Sequence, residues 1–582
     1  MCILFDFANT TPCRIRFPNG RHPAQRSCAQ KLSMPMALLL CLCGLLVFPA
    51  ASHAQPLELT LQFQSPTSPD SPRFHRRQRQ ERWVSERTAV IVCDMWDSHH
   101  CVNAVRRVAQ LAPRIDAFCG SLRERGVTII HAPSSCMDAY QQHPSRLRSL
   151  QVPKLESYPD EIDSWCDQIP SEERAAYPID QSEGGEDDDL LEHRQWAQRL
   201  AAEGRDPRAP WLRQVAEIQI DPQQDYISDR GSEIWGILAA NQIDNVVLVG
   251  VHTNMCVLGR PFGLRRLASA GKNVVLARDL TDTMYDPRAW PYASHFTGTD
   301  LIIDHVERYV CPTIASSQVL GGEPFRFSAD DRFKLVMLIA EDEYQTAATL
   351  PHFAAKHLSQ HFSVQTLFGS EQDRNQIVGL DAVRDADALL VSVRRRALAA
   401  SELAILREFV SKAKPVIGIR TASHAFSLRG KEPPPGQAVW PEFDAQVFGG
   451  HYTNHHGNQL TAEILKPAAD VRHAILDATK VTQIQPGGSL YQVSPLAAGT
   501  FVIAEGQVPD EPAEPIAWTF IRSDGGRSFY TSLGHPDDFS QPEFEALLSA
   551  GVHWACGLKP HRLSDVREQE ERYQAGQGKQ RK

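Results

Sequence analysis

Thr88-Ala89-Val90-Ile91-Val92-Cys93-Asp94-Met95 is a continuous apolar run that closes on a carboxylate. A strand buried on both faces of a parallel sheet reads this way, whereas a half-exposed strand alternates polar and apolar residues. Beyond it, Val105, Val108, Ala112, Ile115, Phe118 and Leu122 recur at helical spacing, Gly126 supplies a stop, and 127–131 reads as a second strand. A polar, acidic stretch over 134–216 then breaks the rhythm as an insertion, and its run 183–189 is expected to lie in solvent. The alternation resumes with a helix over 233–241, a strand over 245–251, a helix over 256–270, a strand over 273–277 and a helix over 299–309.

The same grammar restarts after a linker over 314–332: strand 334–340, helix 346–360, strands 363–368 and 388–393, helix 401–413, strand 415–420. Strand and helix alternating in this order imply an α/β fold of two doubly wound (Rossmann-like) three-layer domains with mostly parallel sheets. The expected domains are 85–315 and 333–557, with 64–86 a polar lead-in and 558–582 a charged tail expected to fray.

A chain of 582 residues is too long for one hydrophobic core, so two domains suit its length. Its 42% hydrophobic and 22% charged residues are those of a globular protein. The net charge of −10 is spread along the chain, and with no basic stripe interleaved with aromatics, nucleic acid is not an expected partner. Lys31, the apolar run 36–47 and the small residues Ser52 and Ala54 pattern as a cleavable signal peptide over 1–54. The run is too short to span a bilayer, so the expectation is a secreted or periplasmic protein, cleaved after Ala54, with no stable membrane anchor. Beyond that segment stand Cys93, Cys101, Cys119, Cys136, Cys166, Cys256, Cys311 and Cys556, without a CxxC pair.

In an open α/β sheet ligands sit at the carboxyl ends of the strands, which singles out Asp94 and Cys256. Cys256 follows the strand over 245–251 through His252-Thr253-Asn254-Met255 and begins a helix, where backbone N–H groups and the helix dipole favour a thiolate. A carboxylate beside it would accept the thiol proton and return it to a leaving amine. Alone, a cysteine at a helix start is more often a packed core residue, and Asp97, His99 and His100 read as capping or surface groups, with one of the two histidines lining the pocket as the alternative.

Ala89-Val-Ile-Val-Cys-Asp-Met-Trp-Asp97 together with Val246-Val-Leu-Val-Gly-Val-His-Thr-Asn-Met-Cys-Val257 resembles the isochorismatase-like cysteine hydrolases, over about 85–315. The resemblance implies Asp94 as acid/base, Cys256 as nucleophile on a carbonyl carbon, backbone amides of His252 and Cys256 as an oxyanion hole, and a cis peptide before His252. The family's catalytic Lys has no counterpart in Asp225-Tyr-Ile-Ser-Asp-Arg-Gly231, where Arg230 is the candidate stand-in although a guanidinium cannot shuttle a proton. The Asp-x-His metal pair of nicotinamidases is replaced by His131-Ala-Pro-Ser134, so neither a metal site of that type nor a cofactor is expected.

The second domain resembles the trehalose-utilisation (ThuA-like) family, related in fold to class I glutamine amidotransferases. The carrying residues are 386–390, 414–420, Phe448-Gly-Gly-His451 and Ser532-Leu-Gly-His-Pro536. Arg420 stands where those amidotransferases place their cysteine, so their chemistry is not expected. Arg420, His424, His451, His535 and Asp537 are the pocket candidates, with His455 and His456 equally well read as loop residues. The leading expectation is a hydrolase of a carbonyl-centred, C–N bond, fused to a domain for a sugar-related small molecule, with a homo-oligomeric state left open. Two alternatives stand beside it: a catalytically degenerate binding protein, and carbohydrate chemistry housed in the second domain.

Overall fold

The structure, a computed structural model, describes residues 55–468 and 470–580. The expected export segment, 1–54, lies outside the described residues. Strands β1 (Leu57–Pro66), β2 (Phe74–Trp83), β3 (Thr88–Cys93), β4 (Thr128–Ala132), β5 (Tyr226–Ile227), β6 (Asn245–Val251), β7 (Asn273–Asp282) and β8 (Thr313–Ile314) form one sheet, ordered β2-β1-β8-β7-β6-β3-β4-β5. All pairings from β8 to β5 are parallel, and the two that attach β1 and β2 are antiparallel. β3 therefore lies inside the sheet, between β6 and β4, with all six of its residues buried.

Helices cover both faces, and successive strand residues serve opposite cores. Val90, Val92, Val247 and Val249 pack beneath α1 (Val102–Arg123), while Ala89, Ile91, Cys93 and Leu248 face α2 (Gly231–Ala240), α3 (Leu264–Ser269) and α4 (His295–Tyr309). Gly250 is required where β6 meets β3: its φ is +110°, and a Cβ there would stand 2.0 Å from the Cys93 carbonyl oxygen.

The second sheet contains β9 (Phe333–Ala340), β10 (Phe362–Phe368), β11 (Ala388–Val393), β12 (Val416–Ile419), β13 (Glu463–Ile464), β14 (Thr500–Gln507), β15 (Glu514–Ile521) and β16 (Arg527–Thr531). Its order is β10-β9-β11-β12-β16-β15-β14-β13, parallel as far as β16 and antiparallel beyond. α5 (Thr346–His357) and α7 (Pro542–Ala555) pack on one face and α6 (Ala400–Ser411) on the other. The two domains meet through α4 and its approach: Thr297 Oγ1 donates to the Ser359 carbonyl at 2.7 Å, and Arg332 and Ser363 both donate to Asp300 Oδ2 at 2.8 Å.

Three segments depart from the sequence reading. The polar lead-in contains most of a hairpin, β1–β2: Leu57, Leu59 and Leu61 alternate into the core, while β2 is the charged edge strand that a sheet border tolerates. The tail beyond 557 is not frayed but carries α8 (Leu563–Gln580), whose Leu563 and Val566 pack on Ala546 of α7 and whose Tyr573 is buried. One narrow apolar stripe among charged residues suffices to dock it.

The acidic run 183–189 is folded back against the protein rather than solvated. Asp188, 3% exposed, accepts the backbone N–H groups of Val102 and Asn103 at 2.9 Å, capping α1, and Asp187 grips Arg107 through two hydrogen bonds of 2.8 and 3.0 Å. The free N–H groups and positive end of α1 give these carboxylates their partners. Replacing Asp188 with Ala is expected to lower stability by about 1–2 kcal/mol, as loss of a helix cap does. Chemical denaturation checks this, and a change no larger than that of an exposed Asp→Ala, such as at Asp206, would contradict it.

Candidate active site

Asp94 ends β3 in a left-handed conformation, φ +45°, and is fully buried. That turn aims its carboxylate into the space at the carboxyl ends of β3 and β6 rather than along the sheet. Its Oδ1 accepts the backbone N–H of Ser134 at 2.7 Å, and its Oδ2 accepts Nε of Arg260 at 2.9 Å. Its charge acts on the neighbouring Cys256 thiol and favours the protonated form, while the backbone N–H of His252 acts on the same sulfur in the opposite sense. The two groups singled out at strand ends are thus brought together.

Cys256 sits in a single π-helical turn, Thr253–Val257, immediately after β6. The Val251–His252 peptide is cis, as the resemblance implied. Burial, and after it the Asp94 carboxylate, push the Cys256 thiol far above its ordinary range. The helix start favours a thiolate, whereas burial and the facing carboxylate act in the opposite direction and favour the protonated thiol. Arg260 works against that rise, and although burial opposes its own charge, Asp94 and Cys256 hold it above its usual value.

Arg230 is not the cation of this site. It precedes α2, where its backbone N–H donates to Ser228 Oγ at 3.2 Å and its charge acts on Glu233. The cation on Asp94 is Arg260, one helical turn beyond Cys256, with Trp165 of the insertion against its guanidinium at 5.5 Å. Its signal was the i, i+4 spacing from the cysteine, which puts both side chains on one helical face.

The cleft beside Asp94 is narrow, with a cavity volume of about 10 Å3, and is lined by Trp96, Ser98, His99, Val251 and His252. Trp211 of the insertion stacks on Trp96 at 4.4 Å, His99 lies 5.0 Å from the His252 ring, and Tyr177 and Gln181 donate to the Asn254 carbonyl. The insertion therefore roofs the site, and His99, one of the two adjacent histidines read from sequence as surface groups with one of them a candidate for the pocket lining, is part of its wall. Burial, reinforced by Arg107 and neighbouring histidines, lowers His252 to about 3, so its ring is neutral at physiological pH. Among the described residues His252 Nε2 and Ser98 Oγ, both on the cleft wall, are buried without a hydrogen-bond partner.

In the second domain Arg420 ends β12 with φ +46°, the same device as Asp94. Its guanidinium lies over Tyr344 at 4.1 Å and Tyr491 at 4.9 Å and donates to the Ser532 carbonyl at 2.7 Å. Gly488 makes room for it, since a Cβ there would stand 2.4 Å from the Arg420 Nη2. His424 stacks on Tyr452 at 4.5 Å, and burial together with Arg395, Arg394 and Arg429 lowers it to about 2. His535 borders the cluster 6.2 Å from Tyr344, with Nδ1 3.4 Å from the exposed Asp537 carboxylate. His451 and His455 are exposed, whereas His456, read with His455 as an exposed loop residue, is buried. The buried organiser of this turn is Asp538, which sequence reasoning passed over and which accepts the N–H groups of Gly534, His535 and Gly487 at 2.7–2.9 Å.

The family model described as Trehalose utilisation (ThuA) matches residues 335–555. Among solved structures, a ThuA-like protein from Bacteroides uniformis ATCC 8492 is similar at 14% identity and TM-score 0.28, covering 40% of this chain and 95% of that one. A cysteine hydrolase from Pseudomonas syringae pv. phaseolicola 1448A is similar at 15% identity and TM-score 0.25, over 41% and 94% of the respective chains. An isochorismatase family protein from Burkholderia thailandensis is similar at 13% identity and TM-score 0.22, over 40% and 93%. No curated protein matches the sequence significantly. The chain thus carries a ThuA domain over residues 335–555, preceded by a separate α/β domain that holds the Asp94–Cys256–Arg260 cluster.

Proposed function

We propose that the first domain is a cysteine hydrolase of a carbonyl-centred, carbon–nitrogen bond. The observation that carries this reading is the shared contact of Asp94 with Cys256 and Arg260 beside the unpartnered wall groups of the cleft. Because the resting thiol is neutral, proton transfer and attack belong to one event. Asp94 takes the thiol proton as Sγ bonds to the substrate carbonyl carbon, and the same carboxylic acid then protonates the departing amine. Water, deprotonated by Asp94, releases the acyl group from sulfur. Arg260, permanently charged, holds the Asp94 carboxylate in place but moves no proton. His252 Nε2 and Ser98 Oγ supply hydrogen bonds to a polar substrate group, and backbone amides of His252 and Cys256 receive the oxyanion.

The ThuA domain, with Arg420 and the Tyr344, Tyr452 and Tyr491 rings, is in this reading the place for a sugar-related partner molecule, and the protein works after export with Gln55 as its first residue. The alternative of a degenerate binding protein is less favoured, because a binding role gives no reason for a buried thiol to face a buried carboxylate.

Turnover on a panel of primary and N-carbamoyl amides tests the proposal. Cys256→Ser and Asp94→Asn should each reduce it on the order of 10⁴-fold, as loss of a nucleophile or its base does. Arg260→Lys should cost about 10²-fold through misplacement of the carboxylate, with substrate binding largely kept. Undiminished hydrolysis by the Cys256→Ser protein would move the chemistry elsewhere.

A further inference from the structure

His361 precedes β10, His553 lies in the last turn of α7, and His561 belongs to the segment joining α7 to α8. Far apart in sequence, the three imidazoles converge at the edge of a cavity of about 460 Å3 that Leu558, Lys559, Arg562 and Asp565 also line. One nitrogen from each ring lies within 4.8 Å of the other two. Two other clusters of ligand-type side chains are already satisfied: Lys356 neutralises Glu545 and Glu570 beside His357, and Asp187 and Asp188 beside Cys101 are taken by Arg107 and the start of α1. The histidine cluster holds no such internal cation.

The His553 Nδ1 stands 2.7 Å from the Ser549 carbonyl, so the ring proton resides there and Nε2 presents its lone pair to the cluster. A backbone carbonyl that fixes the tautomer in this way is the usual support of a metal-bound histidine. His553 Nε2 lies 3.3 Å from His361 Nδ1. Two imidazole nitrogens bound tetrahedrally at the zinc–nitrogen distance are also separated by about 3.3 Å. The His561 ring lies tilted at 4.2 Å from the His553 ring and 5.2 Å from the His361 ring, bringing a third nitrogen to the same point.

We propose that His361, His553 and His561 form a binding site for a zinc-class divalent cation, with a fourth coordination position open to the cavity. Imidazole nitrogens suit that class of metal, and three protein ligands with an open position mark sites that bind a further ligand. The other charges facing the cluster are Lys559 and Arg562 on the connecting segment, Asp565 at the start of α8 and Asp331 before β9. The two cations favour an anion in the open position, where it would offset the charge of the metal.

Visible absorption during Co2+ titration of the metal-stripped full-length protein tests the site. One Co2+ per chain should give a tetrahedral-type spectrum that Zn2+ displaces. His361→Ala and His561→Ala, which alter side chains outside the buried core, should each lose that spectrum while circular dichroism and melting temperature stay unchanged. Absence of Co2+ uptake by the unaltered protein, or an identical spectrum in both variants, would overturn the proposal.

Discussion

The carboxylate of Asp94, buried and divided among a thiol, a guanidinium and one backbone N–H, is the constraint around which the first domain is organised. A buried charge is costly unless it is paired and hydrogen-bonded, and its partners come from two separate segments: Ser134 from beyond β4, and Cys256 and Arg260 from the turn after β6. The carboxylate can occupy this position because β3 ends in a left-handed residue and because Gly250 allows β6 to pass without a side chain. Strand register, the π-helical turn and the insertion's Trp165 all converge on holding those partners in place.

Much of this was legible in the residues. A carboxylate at the end of an apolar run and a cysteine one turn after a second such run are strand-end positions, and strand ends of adjacent parallel strands meet in space. The cation was not legible as such, because a search for positive charge before α2 finds Arg230, whereas Arg260 lies on the far side of the cysteine. The acidic run misled for a related reason. Its charge density reads as solvated, but the partners that bury Asp187 and Asp188, Arg107 and the N–H groups of α1, stand some 80 residues earlier. The hairpin β1–β2 and helix α8 were hidden by sparse apolar stripes that only tertiary contact turns into structure.

The second domain repeats the first domain's device with different chemistry. Arg420, like Asp94, leaves a parallel strand with positive φ and projects a charged side chain to the carboxyl edge, but its neighbours are tyrosines and a carbonyl rather than a nucleophile. Such a guanidinium recognises and does not attack. Arg420, His424 and His535 border the same pair of tyrosines, Tyr344 and Tyr491, whereas His451 is exposed.

The central claim is that the Cys256 thiol is held protonated by burial and by the Asp94 carboxylate until a substrate is attacked. Its most direct test is the pH dependence of Cys256 alkylation by iodoacetamide, followed by peptide mass spectrometry in the unaltered protein and in Asp94→Asn. The account predicts slow alkylation whose midpoint lies above the roughly 8.5 of a free thiol, and a shift to lower pH once the carboxylate charge is removed. Rapid alkylation at neutral pH that is indifferent to residue 94 would show a free thiolate and contradict the account.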